Sequence, residues 1–433
     1  MSACSEGGGG EGGRNVSGVT ERLLSHILRP SPGLATPRGG NMPGLHGRGR
    51  AFCVMMMFNI FIFLLLGMTW NIRRSNSAPP KVRVPSQRFW RRDAVSESFW
   101  NKEQQRLDFV HSPIFNAAPD WLKDTGPPRP CDPDHRVPTQ IRDYNVLPPL
   151  FRDFLLHMRC RTSPLLIDAP HACDGEPFLL LAVKSLTPHF DRRQAIRETW
   201  GRAGVVANRT VAVVFLLGAT WRADHFPKLK GLLRQEAKLH RDVLLWGYRD
   251  TFFNLTLKEV LFLEWFSTTC PQAQYVLKGD DDVFVNTFRV LDFLENLSEH
   301  KAKDLFIGDV ISDAVPHRDK KLKYFIPESV FVGRYPPYAG GGGYLLSGDV
   351  ALRLHNASQR VVLYPIDDVY TGMCLQKLGL VPERHSGFKT FDIEDKYRDK
   401  PCIYRSLMLV HSRTPQEMLT IWPWVRDPEL DCQ

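Results

Sequence analysis

The sequence predicts an α/β protein with a mainly parallel central sheet, and three observations support this class. From Phe178 onward, short apolar runs alternate with segments of helical length and pattern, which is typical of crossover units. The chain has 433 residues and is 43% hydrophobic, which excludes collagen-like, wholly disordered and small disulfide-rich classes. Of the formal net charge of +9, residues 1–50 contribute +3 and residues 71–92 contribute +7, which leaves −1 for residues 93–433. The body of the protein is thus nearly neutral, and we expect no nucleic-acid partner.

The first part of the chain predicts a tail and a membrane anchor. Residues 1–50 are rich in Gly, Pro and Arg and poor in large apolar residues, which indicates a disordered tail. Residues 51–70 contain Asn59 as the only strongly polar side chain, and about 20 apolar residues cross a bilayer as a helix. A cleaved signal peptide is the alternative, but its apolar region is shorter, about 7 to 15 residues. We therefore predict an uncleaved transmembrane signal-anchor helix over 51–70, a stem over 71–149 and a folded domain over 150–433.

Sequons and cysteines indicate on which side of the membrane the folded domain lies. Four sequons follow the anchor, at Asn208, Asn254, Asn296 and Asn356. Seven cysteines also follow it, enough for three disulfides and one free thiol, although buried free cysteines in a cytosolic domain are the alternative. Glycan acceptors and disulfides both belong to an oxidising, lumenal compartment. We predict a single-pass type II protein with a cytoplasmic tail, a lumenal domain, and a glycan at an outward-facing helix start at Asn254.

The elements of the domain follow from periodicity. Buried strands are predicted over 178–185, 210–217, 243–248, 275–278 and 304–310, and helices over 192–200, 226–240, 255–268, 287–297 and 369–378. The segment from Thr414 to Glu417 reads as a capping box with Pro at the first helical position, which predicts a final helix there.

An acidic cluster follows one of the predicted strands. Asp280, Asp281 and Asp282 lie between the apolar runs 275–278 and 283–285, at a carboxyl end of a strand, where ligands bind in open α/β sheets. Because side chains alternate along extended chain, Asp280 and Asp282 are able to share a hard cation while Asp281 points elsewhere. A solvated acidic turn is the alternative reading.

His411 follows the apolar run 407–410. A histidine after a strand is more often an ordinary surface or packed residue than a ligand. A neutral imidazole would nevertheless complete a divalent-cation site built on aspartates.

Four consecutive glycines, 340–343, stand between Tyr338 and Tyr344. Such a run exposes backbone N–H groups and lets a ligand approach closely, while the tyrosines offer faces for a sugar ring. A flexible linker is the alternative, but an apolar pattern resumes at Tyr344.

Asp367 and Asp368 directly precede the predicted helix 369–378. The helix dipole stabilises carboxylates in this position, so a purely structural role explains the pair as well as a catalytic one. The same dipole would hold a carboxylate ionised near neutral pH, as a general base requires.

Three arginines open the helix after the first strand: Arg192, Arg193 and Arg197. Their charge and the helix N-terminus together suit a diphosphate. An exposed charged helix face is the alternative.

Six motifs in this order resemble the β-1,3-glycosyltransferase family of Golgi type II membrane enzymes. They are FLLLAVKSLTPHFDRRQAIRETWG, RDTFFNLTLKE, YVLKGDDDVFVN, YPPYAGGGGYLLSG, YPIDDVYTGMCLQKLG and LMLVHSR. The resemblance runs from near Phe52 to Cys432 and implies a GT-A type nucleotide-sugar transferase fold, with residues 150–433 as the lumenal catalytic domain. It also implies inverting transfer of N-acetylglucosamine from UDP-GlcNAc to O3 of a terminal β-galactose on N-acetyllactosamine-type acceptors, which is poly-N-acetyllactosamine synthesis.

The resemblance further implies residue roles. Asp280, Asp282 and His411 correspond to ligands of a Mn²⁺ ion, and Asp368 corresponds to the catalytic base. The donor-binding residues would be Arg192, Arg193, Arg197, Asp281, Gly341 and Gly342. The acceptor-side residues would be Tyr338, Gly340 and Gly343. The glycine-rich tail before Met42 departs from the family pattern, which affects sorting rather than chemistry.

Two other functions stay open at this level. A β-1,3-galactosyltransferase using UDP-Gal would share the metal and base motifs. A metal-dependent carbohydrate-binding lumenal domain without turnover would leave the Asp367–Asp368 pair and the arginines without a purpose.

Overall fold

The computed structural model describes residues 98–111, 131–220 and 229–432. The predicted tail, the predicted anchor over 51–70 and much of the predicted stem lie outside these residues. Within the described ranges, no helix combines the length and the apolar character that a membrane crossing needs.

The strands are β1 (Leu165–Ile167), β2 (Leu179–Lys184), β3 (Gly204–Val206), β4 (Arg209–Ala219), β5 (Val243–Arg249), β6 (Tyr275–Asp280), β7 (Val283–Val285), β8 (Phe306–Ile311), β9 (Tyr338–Ser347), β10 (Glu383–Arg384), β11 (Phe388–Lys389) and β12 (Leu409–His411). The helices are α1 (Phe99–Val110), α2 (Val137–Gln140), α3 (Pro149–Leu156), α4 (Phe190–Glu198), α5 (Leu229–His240), α6 (Leu255–Thr269), α7 (Thr287–Glu295), α8 (Glu299–Lys303), α9 (Gly348–Ser358), α10 (Asp367–Leu378), α11 (Pro401–Ser406) and α12 (Pro415–Arg426). Every strand and helix predicted over the described residues is present, with ends that differ by a few residues. The capping box at Thr414 and Glu417 is formed at the start of α12.

The main sheet is mixed, which corrects the prediction of a mainly parallel sheet. Its strand order is β1-β5-β4-β2-β6-β9-β8-β10, with β3 paired to β4. β5, β4, β2 and β6 are parallel neighbours, but β9 runs antiparallel between β6 and β8. The glycine run, interpreted above as a segment that a ligand approaches closely, lies within β9. Glycines supply no apolar periodicity, so the sequence pattern does not reveal this strand.

Both faces of the main sheet are covered by hydrophobic cores. In β2, Leu180 and Ala182 contribute to one core, whereas Leu179, Leu181 and Val183 contribute to the other. A strand buried on both faces reads as a continuous apolar run rather than an alternating one. This explains why β2 is recognisable in the sequence as an apolar run although it lacks the alternating pattern of a half-exposed strand.

The segment 98–111, which belongs to the predicted stem, packs on the folded domain. Trp100 is buried, and its indole N–H is shared between the carbonyl oxygens of Val362 and Leu363, 3.2 Å from each. Its ring meets Phe331 edge-on at 5.3 Å. This part of the stem therefore contributes to the core of the domain.

Three disulfides join described segments, and the prediction of three bridges and one free thiol is confirmed. The bridges are Cys131–Cys160, Cys173–Cys270 and Cys402–Cys432. Cys374 is the free thiol among the described residues, and it is buried in α10.

The four sequon asparagines differ in exposure. Asn208, Asn296 and Asn356 are exposed, whereas Asn254 is half-buried. The Asn254 side-chain amide donates a hydrogen bond to the Arg249 carbonyl oxygen at 2.8 Å. The outward-facing position predicted for Asn254 is thus only partly open to solvent.

Candidate active site

The candidate site lies at the carboxyl ends of β2 and β6. From β2 the chain continues to β4 and β5 on one side, and β6 adds on the other side, so a crevice opens where the strand order reverses. The last residues of the two strands, Lys184 and Asp280, are direct neighbours in the parallel ladder. Both residues therefore face the crevice from its floor.

Lys184 links the two acidic motifs of the site. Its ammonium group lies 3.0 Å from Asp280 Oδ1 and 2.9 Å from Asp367 Oδ2, and it donates a further hydrogen bond to the Gly341 carbonyl oxygen at 3.1 Å. Burial alone would lower the pKa of Lys184, but the Asp280 and Asp367 carboxylates raise it above its ordinary value. Lys184 is therefore a permanent cation that joins the end of β6 to the start of α10. The sequence pattern does not assign Lys184 to a site, although its place at the end of a predicted strand is a usable signal.

A second, three-stranded sheet brings His411 to the aspartates. β12 pairs antiparallel with β7, which directly follows the acidic cluster, and His411 lies opposite Val283. The ligand atoms of Asp280, Asp282 and His411 all lie within 4.8 Å of one another. The pairing of β7 with β12 thus assembles a site from residues about 130 positions apart.

The donor set of this cluster fits a divalent cation. Two carboxylates and one imidazole supply oxygen and nitrogen ligands of the kind that Mn²⁺ accepts. His411 Nε2 lies 3.4 Å from Asp282 Oδ1, and this contact raises the pKa of the histidine. Burial alone would raise the pKa of Asp282, but His411 and Arg192 hold it below its ordinary value.

Asp281 points away from this cluster, as predicted, although Asp281 and Asp282 form the turn between β6 and β7 rather than extended chain. It accepts hydrogen bonds from Ser185 and His189 at 2.7 Å and from Arg192 at 2.8 Å. The buried carboxylate is held by these protein donors, and its geometry suits the positioning of Arg192.

The three arginines of α4 do not act as a set. Arg192 lies beside Asp281 and, at 3.4 Å, beside Asp282. Arg193 is completely buried and makes a two-pronged contact with Glu236 at 2.8 Å. Arg197 pairs with Asp242 at 2.7 Å and also with Glu236.

Helical geometry explains this division. Arg193 and Arg197 are four residues apart and share a helix face, whereas Arg192 lies on a different one. Of the three arginines predicted to bind the donor, the structure therefore brings only Arg192 to the aspartates. Arg193 and Arg197 instead attach α4 to α5 and the start of β5.

The four glycines of β9 lie in different surroundings. Gly341 is partly exposed, and a Cβ atom there would stand 3.5 Å from Asp368 Oδ2. A Cβ atom at Gly340 would lie 2.5 Å from Thr390, and one at Gly343 would lie 2.8 Å from the Lys278 carbonyl oxygen. Gly341, which was predicted to bind the donor, thus lies beside Asp368. Gly340 and Gly343, which were predicted on the acceptor side, instead allow close packing against Thr390 and Lys278.

Gly342 and Tyr338 are the remaining predicted site residues of β9. A Cβ atom at Gly342 would lie 3.4 Å from His411 Cβ, so this glycine leaves room for the histidine. Tyr338 is buried, and burial together with the nearby Asp368 carboxylate raises the pKa of its phenol. The phenol therefore stays protonated next to Asp368.

The two acids at the start of α10 have different environments. Burial alone would raise the pKa of Asp367, but its ion pair with Lys184 holds it below the ordinary value. Burial and the negative charge of Asp367 raise the pKa of Asp368 to about 7. The helix dipole was predicted to keep Asp368 ionised near neutral pH; the structure differs, because burial and the adjacent carboxylate outweigh the helix start. A carboxylate with a pKa near the working pH is suited to general base catalysis.

A cavity of about 300 Å³ adjoins the aspartates. It is lined by Lys184, Ser185, Leu186, His189, Asp250, Thr251, Phe252, Leu255, Lys258, Asp280, Asp281 and Asp282. Asp250 Oδ2 accepts hydrogen bonds from Lys258 at 2.8 Å and from the Gly218 N–H at 2.7 Å. Asp250 Oδ1 is buried without a hydrogen-bond partner among the described residues.

We expect Lys184→Met to lower the free energy of unfolding by about 3–5 kcal/mol, because removing one partner leaves buried carboxylates without their counter-charge. Denaturant unfolding measures this loss. Lys238→Met, which changes an exposed lysine of α5, is the matched control and should have little effect. Removing one of the orphaned charges with Lys184→Met/Asp367→Asn should recover part of the stability. Equal stability of Lys184→Met and the unchanged protein would contradict the bridging role.

Comparison with known proteins gives a consistent result. A family model described as Galactosyltransferase matches residues 191–386. N-acetyllactosaminide beta-1,3-N-acetylglucosaminyltransferase 2 of Mus musculus is 55% identical over 385 residues, which cover 88% of this chain and 97% of the relative. The protein of the same name from Homo sapiens is 53% identical with the same coverage. N-acetyllactosaminide beta-1,3-N-acetylglucosaminyltransferase 4 of Homo sapiens is 45% identical over 317 residues, or 72% of this chain and 81% of the relative.

Proposed function

The chain belongs to the galactosyltransferase family and, within it, to the β-1,3-N-acetylglucosaminyltransferases, and from this premise we propose how its site works. It is a glycosyltransferase that transfers N-acetylglucosamine from UDP-GlcNAc, in β-1,3 linkage, to galactose-terminated acceptors. The family predicted from the six motifs is thereby confirmed. We assign the mixed α/β sheet to the GT-A type and the acceptors to N-acetyllactosamine chains.

One observation carries the mechanism: Lys184 contacts both the cluster of predicted metal ligands (Asp280, Asp282 and His411), through Asp280, and the two acids of α10, through Asp367. Its contacts to Asp280 and Asp367, at 3.0 and 2.9 Å, join the two acidic motifs through one ammonium group. Asp368 follows Asp367 directly and borders Gly341, the partly exposed glycine of β9. This arrangement supports a donor diphosphate on the side of Asp280 and Asp282 and an acceptor sugar on the side of Asp368.

The reaction is inverting and needs one base. Asp368 accepts the proton of the acceptor O3 as this oxygen bonds to the anomeric carbon from the face opposite UDP. The bond between that carbon and the diphosphate oxygen breaks, and its electron pair leaves with UDP. A Mn²⁺ ion held by Asp280, Asp282 and His411 would neutralise the departing diphosphate. Arg192, kept in place by Asp281, adds positive charge on the same side.

The raised pKa of Asp368 predicts the pH dependence of turnover. A base is active only after it loses its proton, so at saturating substrates and Mn²⁺ we expect turnover to rise with pH through a midpoint near 7. Asp367→Asn removes the adjacent negative charge and should shift this midpoint to lower pH. A pH profile of turnover measures both effects. A midpoint near 4 in the unchanged protein would contradict the assignment.

A donor screen tests the function itself. UDP-GlcNAc and UDP-Gal are each offered with an N-acetyllactosamine acceptor, and UDP release and product are measured. Product from UDP-GlcNAc alone supports the proposal, and product from UDP-Gal alone would favour a β-1,3-galactosyltransferase. Binding of the acceptor without UDP release would favour a non-catalytic carbohydrate-binding domain.

We assign the protein to the Golgi membrane as a single-pass type II protein with its catalytic domain in the lumen. Three disulfides and three exposed sequon asparagines support a lumenal environment. Protection of residues 93–433 from protease in intact vesicles is the expected result, and their digestion would contradict it.

A further inference from the structure

A network of ion pairs includes Arg413, which follows the predicted metal ligand His411 by two residues. The centre of the network is the carboxylate of Asp392. Arg413 contacts Asp392 Oδ1 at 2.8 Å, and Arg398 contacts Asp392 Oδ2 at 2.5 Å. One carboxylate thus holds two guanidinium groups, each through a separate oxygen. We call Asp392, Arg398 and Arg413 the Asp392 network.

The two arginines meet at one backbone atom, the carbonyl oxygen of Ser412. Arg413 donates a hydrogen bond to this oxygen at 2.6 Å, and Arg398 donates another at 2.9 Å. Hydrogen bonds from a charged donor are stronger than those between neutral groups. Because Ser412 directly follows His411, both guanidinium groups fix the chain next to the histidine.

Arg413 also contacts the turn that carries Asp282. Its backbone N–H donates a hydrogen bond to the Asp282 carbonyl oxygen at 2.6 Å. The same residue therefore joins the end of β12, where His411 lies, to the turn between β6 and β7. Two segments that supply predicted metal ligands are connected here through the backbone.

Further contacts attach the Asp392 network to the rest of the domain. Arg398 pairs with Glu417 of the α12 capping box at 2.8 Å. The Tyr404 hydroxyl accepts a hydrogen bond from Arg413 Nε at 3.1 Å and donates one to the Arg398 carbonyl oxygen at 2.7 Å. The Tyr404 ring meets Phe284 of β7 edge-on at 5.9 Å. The network is thus held by α12 on one side and by β7 on the other.

The burial of Arg413 points to a role beyond stability. Its side chain is completely buried, which carries a desolvation penalty, and well-packed apolar side chains often stabilise a fold as well or better. Stability alone therefore gives no reason for an ionic network here. What the network does provide is a fixed backbone at residues 412 and 413.

We propose that Asp392, Arg398 and Arg413 are positioning residues for the divalent cation, which hold His411 at the place where it shares one ion with Asp280 and Asp282. This inference rests on the proposed function, which assigns Mn²⁺ to these three ligands. In this role the network acts through Ser412 and the Arg413 backbone. Partners outside the ligand shell typically contribute about 10- to 100-fold to metal affinity.

Arg398→Met is the decisive variant, because positioning and charge predict opposite results. The loss of a positive charge near the site would, by charge alone, strengthen Mn²⁺ binding. The loss of positioning should instead raise the dissociation constant of Mn²⁺ by about 10-fold, the lower end of the range for such partners. Titration calorimetry of the full-length chain with Mn²⁺ measures this constant. Arg398→Lys keeps the charge but loses the forked contact, and its constant should lie between those of Arg398→Met and the unchanged protein.

The Mn²⁺ requirement of turnover gives an independent readout. With UDP-GlcNAc and N-acetyllactosamine, Arg398→Met should need about 10-fold more Mn²⁺ for half-maximal turnover. Saturating Mn²⁺ should recover the lost turnover, because the ligands themselves are intact. A purely structural defect would lower the free energy of unfolding and leave this Mn²⁺ requirement where it is.

Arg209→Met is the matched control, because it removes another arginine–carboxylate pair, Arg209 with Glu295, at the first residue of β4. It should leave the dissociation constant of Mn²⁺ unchanged. Equal or tighter Mn²⁺ binding in Arg398→Met would overturn the inference, as would a loss of turnover that saturating Mn²⁺ does not recover. If Arg398→Met does not fold, Arg398→Lys is judged by the same two measurements. An unchanged protein that neither binds Mn²⁺ nor needs it for turnover would instead contradict the proposed function.

Discussion

Asp368→Asn is expected to reduce turnover by about 10²- to 10⁴-fold, the range typical of removing a general base. The substitution nearly preserves the shape of the side chain, so the backbone N–H of Val369 keeps an acceptor oxygen at the start of α10. What is lost is the group that takes the proton from the acceptor O3. Steady-state kinetics with UDP-GlcNAc and N-acetyllactosamine measure the effect.

Donor binding and a second aspartate variant serve as controls for Asp368→Asn. Binding of UDP-GlcNAc should stay close to that of the unchanged protein, because the donor contacts lie on the side of Asp280 and Asp282. Asp349→Asn replaces another aspartate in the first turn of a helix. Asp349 follows the end of β9 that pairs with Tyr275, at the other end of β6 from Asp280, so this variant should retain full turnover. If Asp368→Asn retained most of its turnover while Asp367→Asn abolished it, the assignment of base and ion-pair partner within this pair would be reversed.

Loss of the divalent ion is expected to reduce turnover by a similar factor. Loss of an outer-shell partner of a metal ligand already costs about 10- to 100-fold, so Asp282→Asn or His411→Ala should each cost more than about 100-fold in turnover. Both should also weaken Mn²⁺ binding, measured by calorimetry, and UDP-GlcNAc binding. EDTA should abolish activity and Mn²⁺ should restore it.

His300→Ala is the matched control for the histidine, since His300 is exposed on α8. It should leave Mn²⁺ binding and turnover unchanged. Full turnover in EDTA, or Mn²⁺ binding that survives both Asp282→Asn and His411→Ala, would refute the assigned ligand set.

The position of the acidic cluster was predictable because two simple rules act together. Buried strands are recognisable as apolar runs, and the carboxyl end of such a strand is where polar side chains collect at a site. The predicted separation of Asp281 from Asp280 and Asp282 is present, although it arises in the turn between β6 and β7 and not in extended chain. His411 could be suggested only by analogy, because its position depends on β12 pairing with β7, a contact between distant segments.

The features that sequence reasoning missed depend on tertiary contacts. Arg193 is buried and Arg197 half-buried because they pair with Glu236 and Asp242, and local sequence gives no sign of these partners. The shift in the pKa of Asp368 depends on burial and on which of two adjacent acids is neutralised by Lys184. Alternation in the sequence likewise does not reveal a strand whose centre is four glycines.

The location of His411 has a consequence for recognising truncated relatives from their sequences. The segment that matches the family model ends at residue 386. His411, the third predicted metal ligand, and β12 (residues 409–411), which pairs with β7, both lie beyond this point. A splice form or paralogue truncated between these points would retain the whole segment that the family model matches, including the three aspartates and Asp368. We expect such a product to be recognised as a family member by its sequence and yet to lack both its histidine ligand and one strand of the small sheet.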